Sequence, residues 1–385
     1  MKICAKGVWD ETVPGIEFDQ KGVSNYYYLM QKLMDAYPRG DIGKERWLEI
    51  VKMIRGSSNG KTYDCIIGVS GGTDSCFLLH IAKKYGLRPL AVNFDNGWSS
   101  DIAVKNIRKI TNTLNIDLET YVVNYEEIKD LNVAYMKAGL PWIDLPTDLA
   151  IKSILYKIAA EVGVKFVLRG NDFRSEGSQP REWTYGDGRQ LKYIHKLFGK
   201  VGLKSFPNYT KVSLVKYSLF KGIKSIYPFY YLDYHKKDAQ EFLMKNYGWE
   251  YYGGHHYENH FTRFAISYWL YEKFNIDKRI ITLSAQVISG EISREQALQE
   301  LKRKPYNDQE KERFLNFVLK KLDLSNNQFN ELFKQTPRTF RDYPSDYSYI
   351  ERLNTVYKPL LNHLFLHKPQ SLFQVENRKK VSGFS

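Results

Sequence analysis

Residues 63–85 read YDCIIGVSGGTDSCFLLHIAKKY, and they decide the fold class. Ile66, Ile67 and Val69 supply the β-branched run of a buried strand. Phe77, Leu78, Ile81 and Ala82 then recur at helical spacing before Gly86, a residue suited to end a helix. Between the two lies SGGTDS, Ser70 to Ser75. A turn rich in glycine lets backbone N–H groups approach phosphate oxygens, and the helix behind it adds unpaired donors and the positive end of its dipole. Ser70, Thr73 and Ser75 contribute hydroxyls. The turn lacks the lysine of GxxxxGK[ST], so it is not a Walker A loop, and it carries Asp74 where a divalent cation such as Mg²⁺ can be held. An ordinary N-cap turn has a similar composition; the flanking strand and helix favour the phosphate reading.

Working outward, apolar runs at 64–69, 89–94, 118–123 and 164–168 alternate with helical patterns at 74–85, 101–114 and 148–162. That alternation marks parallel βαβ units, so the expected fold is α/β, a doubly wound, mostly parallel sheet. Ligands of such sheets bind beyond the carboxyl ends of the strands, where Ser70, Asp95 and Gly170 fall. Asp95 is placed to meet a ribose hydroxyl or a metal, or else to cap the turn it shares with Asn96 and Gly97. Segment 171–224 has no clean periodicity and reads as a substrate lid, while SIYPFYYL at 225–232 offers a last strand. Downstream of 258 the pattern is helical. SREQALQELKRK opens with a capping box, Ser293 with Gln296, and amphipathic stretches follow at 308–322 and 347–366. The expected regions are 1–60 with a helix near Lys44–Arg55, 61–257 for the nucleotide domain, and a helical 258–385.

Composition sets the limits. The 385 residues suffice for a sizeable core, and 43% hydrophobic with 26% charged residues is ordinary for a globular protein. A net charge of +14 favours anionic partners without choosing among them, because the lysines are spread along the chain. Cys4, Cys65 and Cys76 form no CxxC pair, which points to a reducing, cytoplasmic setting. No leader pattern opens the chain and no apolar run is long enough to span a bilayer. His255, His256 and His260 stand close together without an HExxH pattern, so no metal site is expected there.

SGGTDS after a buried strand resembles the signature of PP-loop ATP pyrophosphatases (adenine nucleotide alpha hydrolase-like), which split ATP between the α and β phosphates. PGIEFDQKGV at 14–23, NFDNGW at 93–98, FRSEG at 173–177, WTYGDGR at 183–189, WEYYGGHHYENHFTRF at 249–264 and NIDKR at 275–279 extend the likeness. Together they resemble the N-acetyl sugar amidotransferases of the WbpG and PseA type, over about the first 305 residues. The resemblance implies an ATP- and Mg²⁺-dependent enzyme that converts an acetamido group on a bacterial surface-glycan sugar to an acetamidino group, through adenylation of the carbonyl oxygen and attack by ammonia. Ser70, Gly71, Gly72, Thr73, Asp74 and Ser75 would grip the phosphates, with Ser70, Asp74 and Ser75 closest to the chemistry. Gly170, Asn171 and Glu176 would face the nucleotide, its metal or the substrate. Trp183, Tyr185, Asp187 and Arg189 could form a sugar site, with aromatic faces on the pyranose and an arginine fork for an anion.

Two departures matter. Many members carry two CxxC pairs near the N-terminus, a zinc knuckle by spacing. Here the four positions are Cys4, Gly7, Ser24 and Tyr27, so no zinc site is expected, and packing by Val8, Trp9, Phe18 and Tyr26 to Tyr28 must hold the segment. No cysteine has a glutaminase setting either, so a separate glutaminase and an ammonia-channel subunit are the expected partners. The competing readings are a PP-loop tRNA-modifying enzyme (thiolation or lysidine-type), which the basic charge suits but the cysteines do not, and a noncatalytic scaffold for glycan assembly. Neither a nucleic-acid partner nor a membrane span belongs to the leading reading.

Overall fold

A computed structural model describes residues 1–254 and 257–349. Five strands, β1 (Cys65–Val69), β2 (Pro89–Asp95), β3 (Leu118–Val122), β4 (Phe166–Leu168) and β5 (Lys224–Ile226), form one sheet in the order β3-β2-β1-β4-β5. Each neighbouring pair is parallel. Strand order therefore reverses between β1 and β4, and that switch point is where open α/β sheets hold ligands.

The helices explain why a parallel sheet is stable here. A parallel sheet needs both faces covered, and side chains alternate between those faces along a strand. Cys65, Ile67 and Val69 enter one core with Leu78, Leu79 and Ala82 of α3 (Thr73–Lys84), following α1 (Asn25–Ala36) and α2 (Gly40–Ser57) in the chain. Ile107 and Ile110 of α4 (Asp101–Leu114) join them. Ile66 turns the other way, into a core with α5 (Tyr125–Lys137) and α6 (Leu145–Glu161), where Ile154, Leu155 and Ile158 meet it. Each such aliphatic side chain contributes about 1.5–3 kcal/mol on burial.

The N-terminal segment is part of the first core. Trp9, Val13, Val23 and Leu29 pack with Ile281 and Ala285 from the helix Arg279–Ile288. The Val8 N–H donates to Ser284 Oγ at 3.0 Å, and Arg294 reaches the carbonyls of Gly7 and Cys4 at 3.0 and 3.1 Å. Cys4 is buried and its sulfur accepts the Ser24 N–H at 3.2 Å, while Ser24 caps α1. Tyr26 is buried as expected, but Tyr28 is exposed and bonds Asp19 instead.

Several sequence expectations need correction. Segment 171–224 is not an aperiodic lid: it contains the helix Gly188–Phe198, which Asp187 caps and whose Gln190, Leu191 and Ile194 are buried, besides shorter helices. Its apolar stripe is two residues wide, too narrow to stand out among the glycines and arginines. Helix α5 was not anticipated, although Ile128, Leu131, Ala134 and Tyr135 follow helical spacing behind the Asn124 cap. Within SIYPFYYL the strand stops at Ile226 because Pro228 has no N–H to continue a ladder, and a 3-10 turn follows. The Ser293–Gln296 capping box forms, and 308–322 becomes the helix Asp308–Lys321. Of the stretch 347–366, residues 350–366 lie outside the described residues, as do His255 and His256. No helix among the described residues is long and apolar enough to cross a membrane.

Candidate functional site

The turn Ser70–Ser75 leaves the carboxyl end of β1 and opens α3. Gly71 has φ +81°, and a Cβ there would lie 2.3 Å from the Ala103 carbonyl oxygen, so the left-handed turn and the close approach of α4 both demand glycine. Gly72 leaves open a space bordered at 3.2 Å by Ser70 Oγ, the Tyr252 hydroxyl and Glu258 Oε1. Serine hydroxyls brace the turn: the Ser70 N–H donates to Ser75 Oγ at 3.2 Å and the Gly72 N–H to Ser70 Oγ at 3.3 Å. The Gly71 carbonyl accepts from the Trp249 indole at 3.0 Å and from Asn106 at 3.4 Å. First-turn N–H groups have no intrahelical acceptors, so those of Asp74 and Ser75 remain for a ligand. A cradle that one Cβ would fill, at a helix start, fits a phosphate.

Long-range contacts complete the turn. The Asp74 carboxylate takes the Lys236 ammonium at 2.9 Å and the Tyr234 hydroxyl. Burial draws down the proton affinity of Lys236, but Asp74 more than offsets this, and the ammonium is held above its ordinary range. Burial, reinforced by Asp74, likewise keeps the Tyr234 phenol protonated and donating. Gln240 donates to Thr73 Oγ1 at 3.2 Å, and the Tyr252 hydroxyl accepts the Thr73 N–H at 3.3 Å. Lys236 and Gln240 come from the helix Lys236–Tyr247, which follows β5. These partners revise the expectation that Asp74 holds Mg²⁺. Both of its oxygens are engaged, and its part is to fix a lysine beside the turn. Among the described residues no group of three carboxylate, histidine or cysteine side chains could hold a metal, so a magnesium ion would depend mainly on phosphate oxygens.

Lys236, Gln240 and Tyr252 also line a cavity of about 1840 Å³ beyond the carboxyl ends of β4 and β5. Lys278, Thr282, Gln286 and Tyr306 line it as well. The tyrosines 185, 227, 230, 251 and 257 give it flat faces. Glu291 also lines the cavity, with one buried carboxylate oxygen that has no hydrogen bond, and burial pushes it up to about 7.

The sequence-predicted residues divide sharply. Gly170 packs against Asp74, where a Cβ would lie 3.0 Å from the Asp74 carbonyl group. Asn171 and Glu176 are hydrogen-bonded to each other at 3.1 Å and line the cavity. Asp95 takes the bland alternative: its Oδ1 accepts the Gly97 N–H at 2.8 Å, a turn bond, and it does not line the cavity. The WTYGDGR sugar site is not assembled. Trp183 is buried in the core at 3% exposure, which leaves no ring face for a pyranose. Asp187 accepts from the Arg189, Gln190 and Asp346 N–H groups and the Tyr185 hydroxyl, so it is a structural cap. Arg189 is exposed, bonds the Ser345 carbonyl and lies off the cavity; only Tyr185 of the four lines it. Sequence reasoning missed Lys236, Gln240, Tyr252 and Lys278. The last two lie inside motifs that carried the family resemblance, which was the available signal.

Comparison with known proteins adds the following. Residues 258–356 match the family model described as LPS biosynthesis protein WbpG-like, C-terminal domain. An uncharacterized protein of Methanocaldococcus jannaschii is 27% identical over 128 residues, 33% of this chain, and the match spans 45% of that relative's length. Among solved structures, NMN synthetase from Francisella tularensis has 14% identity over 77% of this chain and 98% of its own, with a TM-score of 0.32. The U34-tRNA thiolase NcsA from Methanococcus maripaludis has 14% identity over 76% of this chain and 89% of its own, with a TM-score of 0.26. Scores this low carry no argument about either structure or reaction. Residues 258–356 are thus similar to a WbpG-like C-terminal domain, and they follow a five-stranded parallel α/β sheet whose strand order reverses beside the turn Ser70–Ser75.

Proposed function

We propose that this chain uses ATP to convert the acetamido group of a surface-glycan sugar precursor to an acetamidino group, releasing AMP and pyrophosphate. One observation carries the reading: the cavity beside the phosphate-gripping turn is lined both by Lys236 and Gln240 and by Lys278, Thr282 and Gln286 of the segment that matches the WbpG-like domain. Nucleotide and acceptor would meet there.

An amide oxygen is a poor leaving group, and adenylation removes that obstacle. The acetamido oxygen attacks the α phosphorus, the bond to the β-phosphate oxygen breaks, and pyrophosphate departs. Ammonia then adds to the activated carbon and loses a proton, and AMP leaves with the former acetyl oxygen. The demand on the protein is alignment and neutralisation of phosphate charge, with no covalent nucleophile. The N–H groups of Asp74 and Ser75 and the Asp74-held Lys236 meet that demand on the leaving pyrophosphate, while the Ser70 and Ser75 hydroxyls brace the turn that presents them. Magnesium bound with the nucleotide supplies further charge neutralisation. Ammonia is expected from a separate glutaminase through a channel subunit: Cys65 and Cys76 are fully buried and burial pushes both thiols up, Cys76 to about 12, so neither is a glutaminase nucleophile.

Incubation with ATP, Mg²⁺, ammonium and a panel of acetamido sugars tests the proposal. Mass spectrometry should find replacement of O by NH in one sugar, with one AMP per product. ADP and phosphate in place of AMP, or AMP formation that ignores every sugar and follows added tRNA, would overturn it.

A further inference from the structure

Residues 189–232 hold nine lysines and arginines and no aspartate or glutamate, whereas the whole chain carries 43 acidic residues against 57 basic ones. Among the described residues only Arg189 and Lys211 of the nine are in ion pairs, both with Asp346, at 3.8 and 3.0 Å. Glu127 and Asp130 lie behind the stretch, but they are buried and accept the backbone N–H groups of Lys200, Val201, Lys204 and Ser205. They brace the loop and leave its ammonium groups facing solvent.

Within this basic stretch the helix Lys211–Leu214 runs into a π-helical continuation, Val215–Phe220, and Thr210 caps its start. On the inward side Leu214 and Tyr217 pack on the core that holds α6, and Ser218 is buried. The outward side is apolar as well. Val212 is 76% and Phe220 83% exposed, and Val215 and Leu219 are exposed between them. Helical spacing sets Val212, Val215 and Leu219 in one stripe, with Lys211 and Lys216 flanking it and Phe220 and Lys221 at its end. Single exposed apolar residues are ordinary, but four on the outer face of one short helix make a surface suited to a partner.

Charge selects the partner. A second copy would bring the same lysines face to face across a two-fold axis. Residues 350–385 follow Tyr349, whose ring centroid lies 3.8 Å from the Lys211 ammonium, and with six basic and two acidic residues they carry the same sign. A nucleic acid has the opposite sign, but its bases stack on aromatic faces, and three of the four outward side chains are aliphatic. Aliphatic and phenyl groups rimmed by lysines match an anionic bilayer, where ammonium groups meet the headgroups and apolar groups reach the acyl boundary.

We infer that helix 211–220 is a docking surface for an anionic phospholipid bilayer. Val212, Val215, Leu219 and Phe220 enter the headgroup layer, and the surrounding lysines hold the protein at the membrane surface without spanning it. The inference is independent of the proposed reaction.

Flotation of the full chain with lipid vesicles tests this. Vesicles of phosphatidylcholine mixed with phosphatidylglycerol should bind it at least about tenfold better than phosphatidylcholine alone, and binding should weaken as salt rises. Lys216→Gln with Lys221→Gln should lower binding about 25-fold, since each lysine near such a surface contributes about fivefold. Leu219→Ser with Phe220→Ser should cost about tenfold or more through lost apolar contact. All four side chains are exposed, so an unchanged urea midpoint checks that the variants fold. Because Cys4, Cys65 and Cys76 are buried, Phe220→Cys takes a polarity-sensitive thiol fluorophore selectively. Its emission should shift to the blue with the anionic vesicles and not with phosphatidylcholine vesicles or tRNA. Absence of vesicle binding, equal binding to both vesicles, binding without the shift, or binding that survives both double variants overturns the inference. So does a shift that follows tRNA, that grows with protein concentration alone, or that precedes the vesicles and ignores them. Those three results identify a nucleic acid, a second copy or the chain beyond 349 as the occupant.

Discussion

The turn Ser70–Ser75 and the segment Trp183–Arg189 look alike in sequence, since both are short, glycine-bearing and polar, yet the structure uses them in opposite ways. The first spends its serine hydroxyls on its own bracing and leaves N–H groups of the α3 start without acceptors. In the second, Asp187 accepts four hydrogen bonds and Trp183 is buried, so little remains for a ligand. Glycine also differs in purpose. Gly71 is forced by a left-handed φ and by α4, whereas Gly186 and Gly188 let packed side chains and backbone come close at ordinary φ. A ligand turn is recognised by donors left over, and a structural turn by donors used up.

The comparison can be broken most easily at Gly71. Gly71→Ala places a Cβ against the Ala103 carbonyl and strains a left-handed turn, so AMP formation should fall by at least ~10²-fold and stability by about 2–4 kcal/mol. Urea unfolding and a pyrophosphate-release assay read the two effects. Lys236→Met should cost about 10²-fold in turnover, comparable to losing one preorganised donor, because it also leaves Asp74 without its cation. Turnover within threefold of wild type would show that the pair is structural.

Smaller effects belong to the second region. Asp187→Ala should cost about 1–2 kcal/mol through the lost cap, with an unchanged KM for the acceptor. A KM raised tenfold at unaltered stability would restore the segment as a sugar site. Smallest is a pH effect at Glu291, which burial first and Asp172 second push up to about 7. The folded protein binds that proton more tightly than the unfolded chain, so the stabilisation is full below the ordinary carboxyl range and is lost as pH rises through about 7. Glu291→Gln should therefore flatten the decline in stability between about pH 5 and about pH 8 in urea titrations.

What could be read from the sequence follows from how local each feature is. β1, the turn and α3 are adjacent, so strand alternation, glycine and helical spacing place them within a residue: the expected helix at 74–85 is Thr73–Lys84. Asn171 and Glu176 come together because they are only five residues apart, flanking the start and the end of the short helix Phe173–Glu176. Lys236 meets Asp74 across 162 residues and Tyr252 meets Thr73 across 179, distances over which no periodicity carries information. Trp183 was misjudged for a related reason, because aromatic residues serve cores and ligands with the same letter and only burial separates the two uses.

The account stands on the acetamido oxygen as the nucleophile toward ATP, and one isotope measurement addresses it. An acetamido sugar labelled with ¹⁸O in its N-acetyl carbonyl, turned over with ATP, Mg²⁺ and ammonium, should deliver one label to AMP for each amidine formed, with none in pyrophosphate or water. Amidine product accompanied by unlabelled AMP would contradict the adenylated intermediate.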